Sequence, residues 1–213
     1  SWTPELAYAV GLVATDGNLN KDRIQVEFIS TDKELIELYC RALCLDDMHV
    51  GYTHYESRKP WYKIRVNDRA FRAFLERIGL TPVKSKTIGP LQIPDDVFRD
   101  FLRGALDGDG SWYISKSWLG RYQYLRAGLC SASRRFLEWI DQKIEELCGL
   151  QGILRSRALG RHHDLTYIGQ KAIALGRWLY YSPDVLALTR KRQVWERMQG
   201  RENRGESNGR SSF

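Results

Sequence analysis

Long apolar runs are missing from this chain. No stretch of its 213 residues reaches the roughly 18 consecutive apolar positions that a membrane helix needs, so no membrane partner is expected. No signal-peptide pattern is visible either. Cysteine is scarce and poorly spaced for metal: Cys40, Cys44, Cys130 and Cys148 include no C-x-x-C pair, and no histidine stands at zinc-finger spacing from them. A structural zinc is therefore not expected, and free thiols point to a reducing, intracellular setting. Whether that is cytoplasm, nucleoid or an organelle stays open. Acidic residues are the minority, 26 against 33 Lys and Arg, giving a net charge of +7. That balance favours a polyanionic partner. Proline is sparse, yet Pro82, Pro90 and Pro94 fall together with Gly89 between residues 81 and 96, which marks a connecting segment.

What the chain does have is a pattern that occurs twice. Ala9-Val10-Gly11-Leu12-Val13-Ala14-Thr15-Asp16-Gly17 is matched by Leu102-Arg103-Gly104-Ala105-Leu106-Asp107-Gly108-Asp109-Gly110. Gly11 and Gly104, Asp16 and Asp109, and Gly17 and Gly110 all keep one offset of 93 residues (16 to 109). Repetition at a fixed offset governs architecture. A Gly after an apolar run is an ordinary helix stop. An Asp in the last turn is not, because a helix C-terminus already carries partial negative charge. Two such acids at matched positions suggest a site that wants negative charge, and carboxylates beside helix-end carbonyls are hard oxygen ligands for Mg²⁺ or Ca²⁺.

Both stretches resemble the LAGLIDADG motif of homing endonucleases, with diverged first positions and an intact Gly and final Asp-Gly. Two copies in one chain resemble the monomeric, two-motif branch of that family. The resemblance implies an α+β fold of two pseudo-symmetric αββαββα repeats whose antiparallel sheets form a saddle.

The rest of the chain is consistent with such repeats. Thr3-Pro4-Glu5 is a helix start. Lys21 to Phe28 alternates, with Lys21, Arg23, Gln25 and Glu27 opposite Ile24, Val26 and Phe28, and so reads as a half-buried strand. Thr31 to Glu34 reads as a capping box. Trp61 to Val66 alternates again, placing Lys63 and Arg65 on one face, and Asn67-Asp68 opens a helix. Asp95-Asp96 stands as the cap of the second motif helix. After it, Tyr124 and Arg126 face away from Leu125, Ala127 and Leu129. Phe28-Ile29-Ser30 aligns with Leu129-Cys130-Ser131 at an offset of 101 (30 to 131), so the second hairpin is eight residues longer. The facing of Ile153 to Arg157 and of Asp164 to Ile168 is left unassigned. Residues 171–180 and 185–198 read as helices. The organisation is a first repeat over 1–80, a linker over 81–96, a second repeat over 97–198 and a disordered tail over 199–213.

The resemblance also implies chemistry. Asp16 and Asp109 would serve one scissile phosphate each, with the carbonyls of Thr15 and Gly108 as further metal ligands, and Mg²⁺ as cofactor (Mn²⁺ or Ca²⁺ substituting for binding). Gly11 and Gly104 would form the helix interface. Lys84 and Lys191 are the candidates for a basic residue near each phosphate, Lys86 and Arg192 are close seconds, and a merely solvated basic cluster stays open. Lys21, Arg23, Gln25, Lys63, Arg65, Tyr124 and Arg126 would touch DNA, although a solvated strand face would look the same. Asp107 receives no catalytic role, because its counterpart is Ala14. The expected activity is site-specific double-strand cleavage of an asymmetric DNA target by a monomer. The alternative is an RNA-splicing maturase, with intron RNA as partner, or a non-cleaving DNA-binding protein on the same fold. A calcium loop at Asp107 fails, since its required Gly would be Trp112.

Overall fold

A computed structural model describes residues 1–21, 23–45, 50–53, 60–118, 120, 122–157 and 160–208, the last eight by backbone only. The first repeat comprises α1 (Pro4–Thr15), β1 (Gly17–Leu19), β2 (Val26–Ser30), α2 (Lys33–Ala42), β3 (Gly51–Thr53), β4 (Trp61–Val66) and α3 (Arg69–Arg77). The second comprises α4 (Phe98–Gly108), β5 (Gly110–Lys116), β6 (Gln123–Ser131), α5 (Arg134–Cys148), β7 (Ile153–Arg157), β8 (His162–Ile168) and α6 (Gln170–Leu179), followed by α7 (Thr189–Asn208). Each repeat builds a four-stranded antiparallel sheet of the same order, β1-β2-β4-β3 and β5-β6-β8-β7. The registers agree as well: Gly17 pairs with Phe28, and Gly110 with Leu129.

α1 begins where the Thr3 hydroxyl accepts the Leu6 N–H at 3.1 Å, with Pro4 in its first turn. Every residue from Ala7 to Ala14 is buried, so this helix is a central element and not an amphipathic surface one. It packs on α4, and the glycines decide how closely. A Cβ on Gly11 would fall 2.1 Å from the Phe101 carbonyl oxygen, and one on Gly104 would fall 2.1 Å from that of Tyr8. Only backbones without side chains at the crossing can meet so closely. Helix α2 packs on the inner face of the first sheet, where Val26, Phe28 and Ile64 are buried, and α5 and α6 pack on that of the second, where Leu125, Ala127 and Leu165 are buried.

Several local expectations are corrected. The strand read over Lys21 to Phe28 begins only at Val26, because the Asn20 N–H closes a turn on the Gln25 carbonyl at 3.2 Å; Asp22 lies outside the described residues. The cap of α2 is Asp32 rather than Thr31, and its side chain makes no capping bond but pairs with Arg190 at 2.9 Å. Asp95 and Asp96 form a short 3-10 turn with Val97 and do not cap α4. The last helix starts at Thr189, not Val185, and runs on through Asn208 into the segment expected to be disordered. Extending an existing packed helix needs no new nucleus, and Arg and Glu are good helix formers. Residues 209–213 lie outside the described residues.

Candidate active site

The two motif helices end side by side. A Cβ on Gly108 would fall 2.1 Å from the Thr15 hydroxyl oxygen and 2.9 Å from Oδ2 of Asp16, so the end of α4 touches the end of α1 directly. The Thr15 hydroxyl turns back into its own helix, donating to the Leu12 carbonyl at 3.1 Å. Asp16 and Asp109 stand at the two C-caps, and their carboxyl groups lie within hydrogen-bonding reach of each other. Burial, then the Asp109 charge, pushes Asp16 up to about 6. Burial raises Asp109 as well. Two carboxylates so placed cannot both ionise without a compensating cation.

Part of that compensation comes from two lysines in matching positions. Lys84 is buried in a 3-10 turn after α3 and donates to the Gly17 carbonyl. Lys191, buried in the first turn of α7, donates to the carbonyls of Leu106, Asp107 and Gly110 at 2.7, 2.7 and 2.6 Å, and to that of Gly108 at 3.2 Å. Burial pushes Lys191 down to about 8, against the opposing pull of Asp107, Asp16 and Asp109. Burial likewise lowers Lys84. The two close seconds are elsewhere: Lys86 is exposed, and Arg192 is held by Glu196 at 2.8 Å and the Pro183 carbonyl at 2.8 Å. A cleft of about 290 Å³ opens beside the pair, lined by Thr15, Ser85, Asp109, Cys130 and His162 among others. A larger groove of about 700 Å³ lies between α2 and α7, away from the carboxylates.

The outer faces of the sheets carry the remaining candidates unevenly. Lys63 and Arg65 project from β4, but both pair with Glu27 of β2, at 3.4 and 2.9 Å. Lys21 and Arg23 are exposed in the turn between β1 and β2 and do not belong to the strand face. Gln25 bonds Asn67 at 3.2 Å. On β6, Arg126 donates to the Tyr124 hydroxyl at 3.2 Å and lies over that ring.

Sequence reasoning missed the rest of the second face. The register of β7 with β8 puts Arg155 and Arg157 outward beside Asp164, and Arg157 pairs with that carboxylate. The alternation Arg155-Ser156-Arg157 was the available signal. It also missed the buried partners of Asp107, since Tyr8 and Leu188 stand 99 and 81 residues away.

No family model matches the chain. Over 106 residues, half of this chain, it is 29% identical to an A-type ATP synthase subunit of Methanopyrus kandleri, and it spans only about a tenth (10%) of the length of that protein. Its structure is similar to that of the LAGLIDADG homing endonuclease I-GzeII in complex with its DNA target, with a TM-score of 0.61 and 12% identity over 100% of this chain and 94% of that one. I-DmoI in complex with its target DNA in the presence of Mn gives 0.55 and 13% over 84% and 95%. The N-terminal LAGLIDADG domain of DUF199/WhiA gives 0.56 and 12% over 86% and 85%. The fold is the α+β fold of the LAGLIDADG homing endonucleases, with two four-stranded antiparallel sheets.

Proposed function

We propose that this chain is a site-specific double-stranded DNA endonuclease that hydrolyses one phosphodiester in each strand, across the minor groove, with divalent metal ions. The observation that carries the reading is the Asp16–Asp109 pair, set between the two buried lysines at the joined ends of the motif helices. The residues present fit a hard cation. Their donors are carboxylate and carbonyl oxygens, and the raised carboxyl groups are those that a divalent ion would return to the charged form. Among the described residues no cluster of three or more His, Cys, Asp or Glu side chains gathers; Asp16 and Asp109, with the carbonyls of Thr15 and Gly108, would hold Mg²⁺ together with DNA phosphate oxygens. When bound, such an ion lowers the pKa of water and stabilises the departing oxygen. Lys84 and Lys191 place positive charge beside each carboxylate and keep the motif ends in position. The outward Arg and Lys side chains of both sheets supply phosphate and base contacts. Because those side chains differ between the repeats, the target is asymmetric, and one chain with both halves acts as a monomer.

The test is selection of cleaved sites from a randomised duplex library with Mg²⁺, followed by Asp16→Asn and Asp109→Asn on the selected site. Binding is expected to remain and cleavage to stop. Full double-strand cleavage by either variant would refute the reading. Selective binding of DNA or intron RNA with no metal-dependent cleavage by the parent chain would establish the maturase or non-cleaving alternative.

A further inference from the structure

Asp107 belongs to the second motif copy alone, since Ala14 occupies its place in the first. It is buried, and among the described residues only one of its oxygens is engaged: Oδ2 accepts the Tyr8 hydroxyl at 2.9 Å and the Leu188 N–H at 2.8 Å, while Oδ1 has no partner there. A buried carboxylate with an orphan oxygen is costly, and an apolar residue fills the equivalent place in the other repeat without trouble. Leu188 is the residue on which α7 starts, because its carbonyl accepts the N–H groups of Lys191 at 3.0 Å and Arg192 at 3.1 Å. The bond from Leu188 to Asp107 thus ties the first turn of α7 to the last turn of α4, which is the end that the Lys191 ammonium caps.

Among the described residues Lys84 has no comparable tether. It follows Val83, a β-branched residue held at φ 59° and largely exposed, and its ammonium reaches one carbonyl, that of Gly17. Three further contacts among the described residues hold the start of α7: Thr189 N–H to Glu34 at 2.9 Å, Arg190 to Asp32 at 2.9 Å and Arg192 to the Pro183 carbonyl at 2.8 Å. All three are exposed, and exposed contacts of this kind contribute little. Apart from the bonds of the Lys191 ammonium itself, the buried polar anchor of this turn among the described residues is Asp107.

We propose that Asp107 is a positioning residue that seats Lys191 over the end of α4, so that the two halves of the site are held by different devices. Its consequence for catalysis rests on the nuclease reading, while the seating itself does not. With the full chain free of DNA and metal, trace acetylation by acetic anhydride is read at Lys191 against Lys84 by mass spectrometry. Asp107→Ala, and Asp107→Leu as a variant that keeps the branched shape without the oxygens, are each expected to raise Lys191 labelling by about tenfold or more. Asp107→Asn, whose amide oxygen can accept both bonds, and Tyr8→Phe, which leaves the Leu188 bond, should stay within roughly threefold of the parent. Unchanged labelling in the Ala and Leu variants overturns the proposal. So does a rise at Lys84 equal to that at Lys191, or a rise in Tyr8→Phe equal to that in Asp107→Ala, because either would mean general loosening. On a cleavable duplex with Mg²⁺, Asp107→Ala is expected to shift the ratio of nicks between the two strands; equal losses on both strands overturn the link to catalysis. A parent chain that never cleaves sinks the nuclease reading and leaves the labelling result to decide the seating.

Discussion

Lys84 and Lys191 donate to the same carbonyl of the two motif copies, that of Gly17 in the first and of Gly110 in the second. They come from unlike elements, a 3-10 turn after α3 and the first turn of α7. The sites converge, yet the anchoring does not: among the described residues Lys84 has one carbonyl partner and Lys191 has four. Lys191→Met leaves helix-end carbonyls of α4 without a donor and is expected to cost about 2–3 kcal/mol, against about 1 kcal/mol for Lys84→Met. Urea unfolding at neutral pH checks the order, and equal costs would contradict it.

The carboxyl pair gives the metal-free protein a pH dependence of known sign. Burial and the Asp109 charge hold Asp16 near 6, above the usual 3.8. Between those values the native state keeps a proton that the unfolded chain has lost. Stability therefore falls as pH rises from about 4 to about 6, and levels off above. Asp107, also near 6 through burial, adds a slope of the same sign. Asp16→Asn removes only the Asp16 part, so this variant is expected to be more stable than the parent at pH 7 in EDTA by about 1–2 kcal/mol, read as a higher unfolding temperature. Ca²⁺ should narrow the difference by stabilising the parent. A variant less stable than the parent in EDTA would show that the pair is not under strain.

The repeat was legible because the glycine and aspartate spacing is a backbone requirement, and backbone requirements tolerate few substitutes. The strand over residues 21–28 was misread because alternation runs back past the true start of β2. Ile24 carries the apolar phase but is 42% exposed, since the chain turns at Asn20 to Gln25. Periodicity does not register where a hairpin closes. The facing of β7 was obscure because Ile153, the most apolar-looking start, points outward at 43% exposure. Asp107 could not be read at all, because its meaning lies in two distant partners and no local pattern announces them.

Glu27 restrains the first sheet. It holds both Lys63 and Arg65, so the three side chains together present one net positive charge. Glu27→Gln releases two cations to phosphate and is expected to tighten binding of non-specific duplex roughly threefold to tenfold at low salt and to steepen its salt slope. The parent itself should lose several hundredfold or more, roughly, between low and physiological salt. Titration of a labelled duplex at several salt concentrations measures both. A weaker Glu27→Gln complex would mean that Glu27 itself contacts the DNA.

The hairpins set the footprint. β5 and β6 span seven and nine residues where β1 and β2 span three and five, so each strand of the second hairpin is four residues longer. At about 3.4 Å per residue the second sheet reaches about 14 Å further, which is about four base pairs at 3.4 Å each. The extension carries the partly exposed Tyr113 and Tyr122 and, at its tip, a 99% exposed Trp118. In a duplex, whose bases are already stacked on each other, such rings pack on sugars and groove edges at modest gain, about 1–2 kcal/mol apiece. Hydroxyl-radical footprinting on the selected site is expected to show protection about four base pairs longer on the Asp109 side of the cleavage point, following the strand lengths. Trp118→Ala should weaken binding about tenfold and restore cutting at the outermost protected positions only. Footprints of equal length on both sides would mean that the longer hairpin projects away from the duplex.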